Sequence, residues 1–203
     1  MQYFGGKSKI AKELSQELQS RLKEGQTFVD LFCGSCNVVS KIKAPVRIAN
    51  DLHKELIALH IAIQNGWIPP SFVSELEYKE IKNSNEVPDY LKAFVGFGCS
   101  FSGKYWGGYA RGSEVRNYAT NARNTLLTKH KTLKDVQFTN LQYHEVVIPN
   151  NSLIYCDIPY KDTTGYSTGS FNHESFYLWA KEMTDKGHTV LVPEYLQNLP
   201  EEW

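Results

Sequence analysis

The chain has 203 residues, 41% of them apolar, with four cysteines and no formal net charge. That is enough apolar material for one domain, or one domain carrying an insertion, to bury a core without disulfide staples. No basic-then-apolar leader opens the sequence, and its most apolar helical run, "LIALHIAI" at 56–63, is short and broken by His60, so secretion and membrane spanning are disfavoured and a cytoplasmic location is expected.

In chain order, "YFGGKS" at 3–8 comes first. A phosphate loop ending at Gly6-Lys7-Ser8 would need its first glycine at Met1 and a preceding strand, and it has neither. Two readings stay open: a mobile tail, or a Gly-Gly turn that sets Lys7 over the edge of a ligand. Ile10, Leu14, Leu18 and Leu22 then recur at four-residue steps, which predicts an amphipathic helix starting near Ser8. "TFVDLF" is a short buried strand that breaks at Gly34-Ser35, and "SCNVVSKI" is expected to open a helix from that turn. "VRIAN" is a second strand, and "LHKELIALHIAIQNG" a second helix ending at Gly66 before the stop "WIPP". Strand, helix, strand, helix predicts an α/β fold with a parallel, Rossmann-like sheet.

From 71 to 132 the pattern is mostly helical around a glycine-rich middle, too long for a connection, and reads as an inserted subdomain between a first half, 1–70, and a second half, 133–203. "VQFTN" and "SLIYC" return to strand character. The polar loop "KDTTGYSTGS", the helix "HESFYLWAKEMTDKG" and the strand "HTVLV" complete the order. Charge is concentrated in the insertion: between Leu91 and Lys131 stand seven basic residues against the single acid Glu114. Tyrosine, tryptophan and phenylalanine are interleaved with them, a mixture of cations for phosphate and rings for stacking that suits a nucleic-acid surface better than a solvated face.

Three groups of residues carry candidate chemistry. Gly34 lies at the turn out of the first strand, and Asp51 follows at the end of the second, where a ribose-binding carboxylate belongs. A full G-x-G-x-x-G is missing, which points to a nucleoside-bearing cofactor without pyrophosphate. Cys33 and Cys36 form a C-x-x-C at the same turn, but a thioredoxin-like reading leaves Asp51 and Asp157 unused, and Cys99 and Cys156 lack the spacing of zinc ligands. The third group is "LIYCDIPYKDTTGY" at 153–166, a strand running into an acid, an isoleucine, a proline and an aromatic.

Taken in order, "YFGGKSKIAKEL", "FVDLFCGSCNVV", "IANDLHKELI", the basic-aromatic middle and "LIYCDIPYKDTTGY" resemble the Dam-type (alpha-group) DNA adenine-N6 methyltransferases over nearly the whole chain. The resemblance implies a class I methyltransferase fold, S-adenosylmethionine as methyl donor, no metal, and double-stranded DNA as partner; the sequence leaves the oligomeric state open, with a monomer favoured. It places cofactor binding on Tyr3, Gly5, Gly6, Lys7, Asp30, Phe32, Gly34, Ser35 and Asp51. It places DNA recognition in the insertion, where the candidates are Lys92, Lys104, Tyr105, Trp106, Arg111, Arg116 and Arg123. The family's catalytic Asp-Pro-Pro-Tyr reads here Asp157, Ile158, Pro159 and Tyr160. Family members continue past the strand resembling "HTVLVPEY" into a terminal hairpin, so the second half is expected to be C-terminally short.

An adenine amine is a poor nucleophile because its lone pair is delocalised into the ring. Two acceptors aimed at its hydrogens, a carboxylate oxygen of Asp157 and the main-chain carbonyl of residue 158, favour the pyramidal amine that attacks in line. Tyr160 offers a face to a base taken out of the duplex, and such stacking is worth about 1–3 kcal/mol. Isoleucine at 158 keeps the carbonyl and loses only the ring that fixes φ. The alternative is a DNA- or cofactor-binding relative that has lost turnover.

Overall fold

The computed structural model describes residues 1–3, 5–112, 117–159 and 171–193. Helix α1 (Ala11–Arg21) precedes strand β1 (Phe28–Asp30), and β2 (Arg47–Asn50) leads into α2 (Lys54–Gln64). Three further helices follow, α3 (Glu75–Asn83), α4 (Asp89–Gly98) and α5 (Tyr118–His130), before β3 (Val136–Thr139), β4 (Leu153–Tyr155), α6 (His173–Asp185) and β5 (Thr189–Leu191). The five strands form one parallel sheet in the order β3-β2-β1-β4-β5. This is the α/β architecture expected from the alternation of elements. No helix among the described residues is long and apolar enough to cross a membrane.

Period-two alternation sorts the strand side chains between two cores. Phe28, Ala49, Leu153 and Tyr155 pack with Leu18 of α1 and Ile57 of α2. Val29, Ile48 and Ile154 pack on the opposite face with Phe176 and Ala180 of α6. The helical segment is not a detached module: Phe94, Val95 and Phe97 of α4 and Leu126 of α5 share a third core with Leu56, Leu59 and Ile63 of α2. Local caps agree with the helix starts. Ser74 accepts from the Glu77 amide while the Glu77 carboxylate accepts from the Ser74 amide, and Asn117 and Asn172 cap α5 and α6 in the same sense.

One expected element differs. "SCNVVSKI" forms turns and a single 3₁₀ turn over Val39–Lys41 instead of a helix. Cys36 is held at φ +57°, a left-handed conformation no right-handed helix can include. The carbonyls of Val39 and Ile42, moreover, accept from the buried Arg47 guanidinium, which also reaches Asp135. The strength of apolar periodicity over 36–42 therefore reflects burial against the sheet, with Cys36, Val38, Val39 and Ile42 all in the core.

Candidate active site

Chain connections leave β1 and β4 toward opposite sides of the sheet, which opens a crevice at the carboxyl ends of these two neighbours. A cavity of about 780 Å³ lies there. Asp30 ends β1, Asp51 follows β2, and Asp157 stands two residues past β4, so three buried or half-buried acids converge on it.

The floor of the cavity is the turn after β1. Gly34 sits at φ +49°, and a Cβ there would come within 3.0 Å of the Tyr3 ring. Glycine is required twice over, for the backbone sign and for the close approach. The Gly34 amide donates to Asp51 Oδ2 at 2.8 Å, and the His53 amide donates to Asp51 Oδ1 at 2.9 Å. Asn50 ties the neighbouring strand ends together, donating to the carbonyls of Leu31 and Leu141 and accepting from the Leu141 amide and Thr139 hydroxyl. Gly6, whose amide donates to the Tyr3 carbonyl, brings the N-terminal segment over the turn.

Beneath the turn lies a buried polar network that the sequence did not single out. His60 meets the Gly34 carbonyl at 3.0 Å through Nε2 and His130 at 3.0 Å through Nδ1. Lys129 Nζ donates to the Ser35 carbonyl and, at 2.6 Å, to Asn37 Oδ1, while Asn37 Nδ2 donates to the Ser35 hydroxyl. Lys129 counted only as one member of a basic run; no spacing rule marks a lysine that α5 turns inward. Phe97, and Tyr143 and Phe171 clustered around the candidate Phe32, also line the cavity and carried no motif.

Electrostatics follow from burial. Desolvation pushes the Asp30 carboxyl well above its ordinary range, reinforced by Cys36, Asp157 and Asp51, and its Oδ1 has no hydrogen-bond partner among the described residues. Burial likewise raises Asp51, against the opposing pull of the His53 and Gly34 amides. Asp157 is raised by burial and drawn back by Lys7, whose Nζ lies 2.5 Å from Oδ1.

All nine cofactor candidates, Tyr3, Gly5, Gly6, Lys7, Asp30, Phe32, Gly34, Ser35 and Asp51, border this one cavity. Of the catalytic candidates, Asp157 and Pro159 face it, whereas Ile158 buries its side chain in the core with Phe176. Tyr160 lies outside the described residues, as does Arg116. The other DNA candidates are dispersed. Lys104 is exposed at the cavity rim. Tyr105 lines the cavity, donates its hydroxyl to Glu55 and packs on Phe97 and His53, and Trp106 packs on Tyr78; both rings are half-buried against the helical core. Arg111 forms a bidentate pair with Glu75. Lys92 and Arg123 are half-buried on α4 and α5.

All four cysteines are free and buried. No group of three or more His, Cys, Asp or Glu among the described residues is placed to hold a metal ion.

Residues 3–102 match the family model of the D12 class N6 adenine-specific DNA methyltransferases. The chain is 32% identical to modification methylase StsI of Streptococcus sanguinis over 83% of its own length and 30% of that protein's. It is 26% identical to the retron Ec67 DNA adenine methylase of Escherichia coli, over 95% of this chain and 75% of the relative. The chain thus spans under a third of the first of these relatives and three quarters of the second. Among solved structures, the rRNA methyltransferase AviRa of Streptomyces viridochromogenes covers 98% of this chain and 78% of its own, with 16% identity and a TM-score of 0.45.

Proposed function

We propose that the chain, whose residues 3–102 match the family model of the D12 class N6 adenine-specific DNA methyltransferases, methylates the exocyclic N6 amine of an adenine turned out of double-stranded DNA, with S-adenosylmethionine as donor. The observation that carries this reading is the single cavity on which the glycine turn, Asp51 and Asp157 all open. On this reading, 1–70 and 133–203 build the cofactor and catalytic site, and 71–132 recognises the DNA.

The residues fit such a cofactor. Asp51 retains lone pairs on both oxygens beyond the two amides it accepts, as a ribose diol requires. Asp30, buried with an orphaned oxygen, suits a cation such as the donor's ammonium. When bound, S-adenosylmethionine supplies a sulfonium methyl that is already activated for displacement. The work left to the protein is positioning. Asp157 accepts one amine hydrogen and the residue-158 carbonyl the other, so that the nitrogen lone pair points at the methyl. The amine nitrogen would take the donor's methyl as the carbon–sulfur bond is lost, and the surplus amine proton would leave to solvent. Ile158 supports turnover in this scheme because its side chain goes into the core, leaving the cavity to its neighbours.

Incubating the protein with labelled S-adenosylmethionine and duplex DNA, followed by nucleoside analysis, tests the proposal. Label in N6-methyladenine is expected. Label only in another base, in RNA, or nowhere would overturn it.

A further inference from the structure

Lys7 and Asp157 stand 150 residues apart in the chain and meet at 2.5 Å, their side chains 13% and 17% exposed. The backbone around Lys7 is pinned on both sides. The Gly6 amide donates to the Tyr3 carbonyl, and the Lys7 carbonyl accepts from Ile10, so the lysine is delivered to the carboxylate by a formed turn. A carboxylate has two oxygens and about four lone-pair directions. Lys7 takes Oδ1.

We propose that Lys7 is a positioning residue for the reaction: it clamps Asp157 through Oδ1 so that Oδ2 is presented to the target amine. This rests on the adenine-methylation reading above and extends it, because it assigns to the N-terminal lysine a task at the amine end of the cavity in addition to lining the cofactor end.

The charge matters as much as the clamp. Only an ionised Asp157 is an acceptor on both oxygens; a protonated one would set an O–H against the amine N–H. Burial works toward protonation, as it does at Asp30, which shares the cavity and whose own ionisation Asp157 opposes. Cys156 beside it is likewise pushed toward its neutral form by burial and by these two acids. Among the described groups that bear on Asp157, Lys7 is the one that favours the carboxylate. Removing its charge therefore moves Asp157 toward the form that is the poorer acceptor for the amine.

Two measurements decide the matter. In the first, the carboxyl carbon of Asp157 is followed by carbon-13 NMR through a pH titration of full-length wild type and Lys7→Met without DNA, Asp157→Asn identifying the signal. The midpoint is expected to rise in Lys7→Met and to return toward wild type in Lys7→Arg. In the second, single-turnover methylation is measured against pH at saturating cofactor. The acid limb is expected to shift to higher pH in Lys7→Met, with the deficit relative to wild type growing about tenfold per pH unit across the shifted interval. An unmoved NMR midpoint, or a loss of rate equal at all pH values, would overturn the proposal. A wild type that methylates no DNA would overturn the methylation reading instead. The NMR titration would then still decide whether the ion pair controls the carboxylate.

Discussion

The two ends of the cavity are built differently. At the glycine turn, Asp51 accepts two backbone amides, Asn50 makes four hydrogen bonds across the strand ends, and His60 and Lys129 hold the Gly34 and Ser35 carbonyls from beneath. At the other end, Asp157 is held among the described residues by Lys7, a flexible side chain with four methylenes. The turn has its donors and acceptors committed before any ligand arrives, so binding there costs little reorganisation. The Asp157 end can exchange one partner for another. On the proposed reading, the preformed end would take a donor that is always the same and the adjustable end a base that must first leave a duplex.

The sharpest way to break this comparison is to remove Asp157. Asp157→Ala is expected to cut methyl transfer by about 10²–10³-fold or more, the scale of losing a preorganised electrostatic partner. Cofactor affinity measured by calorimetry should stay nearly unchanged, because the lost contact is made to the amine in the transition state. A parallel loss of cofactor affinity would show that the two ends are one unit.

Asp51 tests the opposite end. Asp51→Ala removes a charge-assisted acceptor worth roughly 1.5–3 kcal/mol and frees the Gly34 and His53 amides, so cofactor binding should weaken by about ten- to a hundredfold. Asp51→Asn, which keeps one acceptor oxygen, should fall between. Equal affinity in all three proteins would remove the second strand end from the cofactor site.

How much of this was legible in the chain depends on range. The strands and the helices α1, α2 and α6 were readable because each carries its own apolar period, and the Gly34–Asp51 pair because one glycine and one acid occupy fixed places after consecutive strands. The segment 36–42 misled, since continuous burial against the sheet looks like a helix face when Cys36 adopts a left-handed φ. What Tyr105 and Trp106 pack on could not be read locally, because their neighbours Phe97, His53 and Tyr78 come from 8 to 52 residues earlier in the chain. Lys129 was invisible for the same reason: its acceptors Ser35 and Asn37 lie 94 and 92 residues away. Long-range satisfaction of polar groups leaves no local signature.

The DNA face gives a smaller effect and a sharper contrast. Lys104, exposed at the rim, should contribute a full phosphate contact, so Lys104→Ala is expected to flatten the slope of log K against log salt by about 0.9. Arg111 must first give up its bidentate pair with Glu75, and Arg111→Ala should change the slope less. Glu75→Gln would then strengthen DNA binding by releasing the arginine. Identical slopes in wild type and all three variants would mean that the rim does not meet the phosphate backbone.

The last expected effect is on stability alone and concerns the buried network that makes the turn rigid. His130 is 6% exposed, and burial, with His60 and Lys129 adding to it, lowers its pKa from 6.5 to about 3. An unfolded chain binds a proton at this histidine below about pH 6.5, whereas the folded chain does so only near pH 3. Its contribution to stability is therefore complete above pH 6.5 and is lost as pH falls through that window, at up to about 1.4 kcal/mol per pH unit for one proton. Asp51 and Asp157, raised above the usual carboxylate range, bind protons earlier in the folded state and so change stability in the opposite direction on acidification. His130→Gln leaves those carboxylates in place and removes the titrating ring while retaining a polar partner for His60. Urea unfolding at a series of pH values should show the variant losing less stability than wild type between pH 6.5 and 4. Parallel curves would mean that His130 titrates as an ordinary solvated histidine, and the floor of the glycine turn would then be wet and adjustable, like the Asp157 end.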